Sequence, residues 1–284
     1  VSEWHSWIGR ETRQADLLDA RLSRQWQDTF DLPPLDPAGL PQGLHFCLCP
    51  PQVATAALGD DGHPARSDDP AASLVPVPLP RRMWAGSSMQ FHRPLKLGDG
   101  IERISRIVAI TEKDGDSGKL VFVEIEHVIT AGLVLAVEER QTLVYRESAL
   151  VAAPLSPPGA GGQLFAAAGW DAHRVTTPDP RLLFRYSALT FNTHRIHYDL
   201  PYARDVERYR GLVVHGPLIA SLLLQFAGMQ FGHNRLASFA FRGLSPAVAG
   251  EPLHLVMRGA GDNLEMGAFA DDGRQVTKAE AVLR

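Results

Sequence analysis

The chain has 284 residues, 45% of them hydrophobic, and a formal net charge of −4 at pH 7. That is room for one large domain or two of about 140 residues each, with a full core. The mildly acidic balance leaves no basic field of the kind that nucleic acid or an anionic membrane requires. No apolar run approaches the length of a transmembrane helix, and the amino terminus VSEWHSWIGRE lacks a basic region followed by a hydrophobic one. The expected setting is a reducing cytoplasm, with no nucleic acid and no membrane among the partners.

Residues 12–30 place Leu17, Leu18, Ala20, Leu22, Trp26 and Phe30 at mostly three- and four-residue spacing, the pattern of an amphipathic helix. From residue 33 to residue 80 proline, glycine and aspartate exclude a regular helix or a central strand, and part of this stretch is expected to wrap the surface. It contains the two cysteines, Cys47 and Cys49. They form a lone C-x-C with no second pair to complete a zinc site, and free thiols are expected.

Residues 101–110, 119–129, 133–139 and 141–147 are rich in β-branched and apolar residues, and KDGDSG between the first two is turn chemistry, so an antiparallel meander is expected. Residues 148–163 are dense in alanine, proline and glycine near the middle of the chain. They are expected to link a first half, 1–147, to a second, 164–284.

The second half is expected to run from a short strand at 182–187 into a knot of ionisable residues, Asn192, His194, Arg195, His197, Tyr198 and Asp199. Next comes a helix opened by Gly216-Pro217, where proline suits the first helical position. Leu218, Ile219, Leu222, Leu223, Leu224 and Phe226 leave that helix no polar face, so it is buried. Its amino end, His215-Gly216, points unpaired N–H groups and a partial positive charge at whatever lies before it. Strands follow at 238–242, 252–258, 264–270 and 275–283, the last two joined by the turn Asp271-Asp272-Gly273. One buried helix followed by a curved antiparallel sheet is the pattern of a hotdog fold. The first half repeats the meander with no evident central helix, so the expected class is α+β, a double hotdog with a degenerate amino-terminal copy.

A histidine can take and return a proton near neutral pH. His194, His197, Asp199 and His215 would also serve a metal, but no glutamate or cysteine completes the set and the spacing matches no familiar zinc signature, so none is expected. The bland alternatives are histidines satisfied by backbone groups, a turn or cap at Asn192, and a packing glycine at Gly216.

The block YSALTFNTHRIHYDLPYA (186–203), followed by VVHGPLIASLL (213–223), resembles the hydratase motif of MaoC-type R-specific enoyl-CoA hydratases and dehydratases. In that motif an aspartate and a histidine five residues later flank an Asn-Pro pair, and His-Gly starts the hotdog helix. Asn192 falls at the aspartate, His197 at the histidine, and His194-Arg195 where Asn-Pro is usual. LPRRMWAGSSMQFHRPLKLGD (79–99) and DGHP (61–64) extend the likeness to the double-hotdog branch that includes hydratases of mesaconyl-C4-CoA and itaconyl-CoA.

The resemblance implies reversible hydration of a short, branched, dicarboxylic enoyl-CoA to citramalyl-CoA, within itaconate and C5-dicarboxylate catabolism. Coenzyme A is part of the substrate, and no further cofactor is implied. His197 would handle the water proton, Asn192 would orient the water, because an amide accepts no proton, and the Gly216 N–H would hold the thioester oxygen. The substrate's free carboxylate calls for a planar cation. Arg195 is the first candidate, then Arg81 and Arg82. His194, Tyr198 and His215 would line the pocket, and Arg242, with Arg258 and Lys278, would meet the CoA phosphates. A homodimer is expected, its interface covered by tryptophans near the amino terminus, with a monomer as the alternative. Other readings are a fatty enoyl-CoA or hydroxyacyl-ACP dehydratase, a hotdog thioesterase, and a noncatalytic acyl-CoA binder.

Overall fold

Strand, helix, then four strands: this order occurs twice along the chain. In a computed structural model that describes residues 4–67, 69, 74–115, 118–150, 152–159 and 164–284, the first round is β1 (Glu11–Leu17), α1 (Ala20–Thr29), β2 (Arg81–Phe91), β3 (Gly100–Gly115), β4 (Gly118–Ala131) and β5 (Val134–Arg146). The second is β6 (Ala172–Thr176), α2 (Pro180–Thr190), β7 (Leu236–Gly243), β8 (Leu253–Ala260), β9 (Asn263–Ala270) and β10 (Gln275–Leu283), with one long extra helix, α3 (Gly216–Phe231), before β7. All ten strands form one antiparallel sheet in the order β1-β3-β4-β5-β2-β7-β10-β9-β8-β6. The two rounds meet at β2 and β7, where Gly86 to Gln90 pair with Arg242 to Ser238.

The repeat extends to the helix ends. Asp19 caps α1 by accepting from the Leu22 amide at 2.7 Å, and Asp179 caps α2 by accepting from Leu182 at 2.9 Å. Just past each helix a residue takes a left-handed conformation, Asp31 after α1 and Phe191 after α2, both at φ 50°. What differs is the insert between helix and second strand. In the second half it is α3, apolar all round, whose Leu218, Ala220 and Leu223 are fully buried. In the first half the helices among the described residues of 31–80 are single 3-10 turns, Leu44–Cys47 and Thr55–Ala57. These residues do not merely wrap the surface: Leu40, Leu44 and Leu48 enter the same core as α3, with Trp26 of α1 beside them. This is the double hotdog of class α+β expected from the sequence, with a first copy that has lost its helix.

Three local expectations are corrected. Residues 12–30 are not one helix: Glu11–Leu17 pair with β3 from Arg106 to Gly100, and the helix begins only after the Asp19 cap. Residues 182–187 are not a strand but the middle of α2, which Asp179 and Pro180 start as a cap and a first-turn proline. The segments at 133–139 and 141–147 are one strand, β5.

Of the expected linker, 151 and 160–163 lie outside the described residues. Its described part is tied to the second half, where the Ser156 amide donates to the Arg208 carbonyl at 2.8 Å and its carbonyl accepts from the Arg210 amide at 3.0 Å. Trp4 and Trp7, the expected interface tryptophans, pack into the first half's own core with Val75, Val77 and Tyr145. Cys47 and Cys49 are free and buried. Among the described residues no helix is long and apolar enough to cross a membrane.

Candidate active site

Four histidines from three segments pack against one another in front of α3. His197 lies in a 3-10 turn, Arg195–His197, that follows the left-handed end of α2, and His215 is the residue that caps α3. Their rings stack with centroids 3.5 Å apart and planes 18° from parallel. His194 meets the His197 ring edge-on at 5.4 Å, and His63, from the first half, lies 4.0 Å from His194.

Hydrogen bonds fix which nitrogens are available. His197 Nδ1 is 2.7 Å from the Val213 carbonyl, which can only accept, so the proton sits on Nδ1 and Nε2 presents a lone pair. No described residue bonds to that Nε2, and it is not sealed from solvent. His215 is bonded at Nε2 to the Ser187 hydroxyl at 2.8 Å, while its Nδ1 is fully buried without a partner. Burial pushes His197 down to about 3, against the pull of the Val213 carbonyl. Burial and then neighbouring imidazoles lower His215 and His194, the Arg82 charge adding to the effect on His194. At neutral pH the stack is therefore uncharged, and the His197 lone pair is open to accept a proton.

The amino end of α3 adjoins this stack through His215. Pro217 has no N–H, and the Gly216 N–H makes no backbone hydrogen bond among the described residues, as expected for a first helical position. A Cβ on Gly216 would meet only the Trp84 carbonyl, at an ordinary 3.6 Å. The protein itself therefore has space for a side chain there.

The remaining candidates separate by what already holds them. Asn192 Oδ1 accepts from the His194 amide at 3.0 Å, a turn that sets up the histidine segment, and its Nδ2 has no partner among the described residues. Arg195, the first choice for a substrate carboxylate, is already engaged: its guanidinium grips Asp199 at 2.7 and 3.0 Å, donates to the Asp60 carbonyl at 2.9 Å and lies 4.2 Å over the Tyr202 ring. The cleft beside it, about 450 Å³, is lined by Asp60 and Asp205 as well, which would repel an anion. Arg81 is buried in an ion pair with Glu207 and is unavailable for the same reason.

Arg82 forms no ion pair among the described residues, and its charge acts on Asp61, His63 and His194. Tyr198 is half exposed, and its hydroxyl bonds to none of the histidines. Arg242 is exposed on β7 opposite Gly86 and Lys278, whereas Arg258 is paired with Glu265.

No role is expected of Asp61 or His63 from the sequence alone. Asp61 Oδ2 lies 2.9 Å from His63 Nδ1, and Asp61 Oδ1 accepts from the His63 amide at 2.9 Å. Burial disfavours the Asp61 charge, but the His63 bond and the Arg82 charge outweigh it and hold the carboxyl below its ordinary value. Burial and Arg82 push His63 down to about 4 against the pull of Asp61. Potential donor atoms of Asp61, His63 and His194 lie within 4.8 Å of one another. The His63–Asp61 hydrogen bond already satisfies two of them, so no cation is needed to hold the group together. The local D-x-H spacing announces a turn, and nothing in it points to residue 194.

Comparison with known proteins gives the family of the chain. Residues 43–249 match the family model described as hydroxyacyl-thioester dehydratase type 2. The mesaconyl-C(4)-CoA hydratase of Chloroflexus aurantiacus is 38% identical over 286 residues, which cover 99% of this chain and 98% of that protein. The mitochondrial hydroxyacyl-thioester dehydratase type 2 of Schizosaccharomyces pombe is 28% identical, with 82% of each chain covered. The crystal structure of HtdX from Mycobacterium tuberculosis superposes with a TM-score of 0.69 at 14% identity, over 97% of this chain and 100% of that one, and so supports the fold. The chain belongs to the hydroxyacyl-thioester dehydratase type 2 family and is a MaoC-like hydro-lyase.

Proposed function

We propose that this enzyme adds water reversibly to the double bond of a short, branched, dicarboxylic enoyl-CoA, with mesaconyl-C4-CoA or itaconyl-CoA as substrate and citramalyl-CoA as product. The observation that carries the reading is a His197 whose Nε2 is unbonded among the described residues, stacked on His215, the residue that caps the amino end of α3 just before the Gly216 N–H. Hydration of an α,β-unsaturated thioester needs both a base for the water and a donor for the oxygen that becomes enolate-like.

His197 Nε2 takes a proton from water as the water oxygen bonds to the β-carbon, and the π pair moves toward the thioester carbonyl. The Gly216 N–H, aided by the α3 dipole, stabilises the charge that develops there. The same proton then passes from His197 to the α-carbon. In a stack that is otherwise neutral, the proton taken from water is the one extra proton it holds, which favours delivery on the face from which water was taken. Asn192, with Oδ1 engaged in its turn, would direct the water through Nδ2.

The dicarboxylic preference rests on the relative from Chloroflexus aurantiacus and on Arg82. Of the three arginines considered, it alone forms no ion pair among the described residues, and it lies close enough to influence His63 and His194. A charge-assisted hydrogen bond to a carboxylate contributes about 1.5–3 kcal/mol. Arg82→Gln should therefore lower kcat/KM for mesaconyl-C4-CoA about tenfold or more, and by clearly more than it changes that for crotonyl-CoA. Both rates are read from the loss of enoyl-thioester absorbance. Equal effects on the two substrates would remove Arg82 from this role. A wild-type preference for long monocarboxylic acyl chains would favour a fatty enoyl-CoA or hydroxyacyl-ACP dehydratase instead.

A further inference from the structure

The family motif has a carboxylate five residues before its histidine. Here that position is Asn192, and its side-chain carbonyl is engaged in a turn. A carboxylate reaches the histidines all the same, from the first half of the chain. Asp61 and His63 form a rigid unit: Oδ1 of Asp61 holds the His63 backbone amide and Oδ2 holds Nδ1 of the ring, each at 2.9 Å. The proton on Nδ1 must therefore face the carboxylate. The His63 ring packs on His194, which packs on His197.

The docking of this loop is specific. Thr193 Oγ1 donates to the Gly62 carbonyl at 2.5 Å, the Arg195 amide to the Asp61 carbonyl at 2.9 Å, and Arg195 Nη1 to the Asp60 carbonyl at 2.9 Å. Gly62 sits at φ +84°, and a Cβ there would stand 1.9 Å from the Thr193 carbonyl oxygen, so only glycine permits the approach. None of these contacts belongs to the sheet. They hold one acidic residue and one histidine of the first half against the histidine segment of the second.

We propose that Asp61, acting through His63, is the carboxylate of this active site: a positioning pair that orders the histidine stack and stabilises the proton taken up by His197 during turnover. Asp61, Arg82 and Arg66 act on His63, Arg82 acts on His194, and the remaining influences on the four rings come from one another; among the described residues Asp61 is the one anion in this set, and it reaches the stack through His63. The step balances with one proton, which leaves water as the oxygen–carbon bond forms, resides on His197 Nε2, and ends on the α-carbon. No oxidant, reductant or metal enters.

The activity part of this inference rests on the hydratase reading, and the test separates the two. Asp61→Asn keeps an Oδ1 to accept the His63 amide, so the turn survives while the charge is lost. Its kcat should fall about 10-fold to 100-fold, the range typical of partners that orient a metal-bound histidine, with KM within about twofold. The acid limb of kcat against pH should move to lower pH, because loss of a neighbouring anion lowers a histidine's pKa. Asp61→Glu should recover part of the rate. Nitrogen NMR of the histidine rings at pH 7 needs no substrate: His63 should be locked with its proton on Nδ1 in the wild type and released from that tautomer in Asp61→Asn.

An unchanged rate and pH profile in an active enzyme would overturn the proposal, and so would an unchanged His63 tautomer, whatever the activity. Loss of activity with a chelator and its return with zinc would also overturn it, because Asp61, His63 and His194 would then be ligands. A wild-type protein that hydrates no enoyl thioester would defeat the hydratase reading, while the NMR comparison would still decide the fate of the pair.

Discussion

At the scale of single residues, the site depends on which polar atoms are already engaged. His197 was legible because its motif is local: Asn192, His197 and His215-Gly216 lie within 25 positions of one another. The choice among the arginines was not legible, because it depends on Asp199 and Glu207 pairing with Arg195 and Arg81, and only folding decides those partners. Asp61 and His63 were hidden for the same reason, lying 131 residues from the segment they meet. Two glycines make a paired prediction. Gly62→Ala adds a Cβ 1.9 Å from the Thr193 carbonyl and should undock the loop, with loss of activity and a lower Tm. Gly216→Ala meets nothing closer than 3.6 Å and should keep a near wild-type Tm, while crowding the substrate oxygen and lowering kcat/KM. Equal Tm values for the two variants would contradict this reading of the loop.

At the scale of elements, hydrophobic pattern located the strands and α3 but misread both capped helices. Residues 11–17 expose alternate side chains along an edge strand, and with only one half-buried face their pattern blends into that of α1. The apolar cluster Leu182-Leu183-Phe184 looks β-like until the Asp179-Pro180 start signal is given its weight. That cap matters energetically as well as formally, because α2 ends at the residues that carry the histidines. Asp179→Ala leaves the first-turn amides unsatisfied and should cost about 1 kcal/mol in urea denaturation. A change near zero would show that solvent satisfies the helix end and that tertiary packing alone holds α2 in place.

At the scale of the whole molecule, the duplicated order of elements explains the division of labour. The second copy keeps its helix and the motif. The first copy lacks that helix among its described residues; Leu40, Leu44 and Leu48 fill the core beside α3, and the loop at 60–63 reaches the histidines. That economy of charge makes the fold pH-sensitive. Burial lowers His45, His63, His127 and His197 from 6.5 to about 3, 4, 3 and 3. Below pH 6.5 the unfolded chain binds protons that the folded chain refuses, so stability is lost as pH falls, by up to about 1.4 kcal/mol per pH unit for each group.

Buried Glu139, raised to about 7 by desolvation, acts in the opposite sense and loses stability as pH rises from 4.5 toward 7. Four groups outweigh one, so Tm should drop between pH 7 and pH 5. A Tm that holds or rises across that interval would contradict the neutral, buried assignment of these histidines.

The central claim is that His197 moves the proton of water at the amino end of α3. The most direct measurement is the initial rate of mesaconyl-C4-CoA hydration by the wild-type protein and by His197→Gln, followed as loss of enoyl-thioester absorbance under identical conditions. The expected result is a fall in kcat of about 10²–10⁴-fold, the usual contribution of a positioned acid–base group, with Tm little changed. A His197→Gln protein that hydrates the substrate at the wild-type rate would contradict the account.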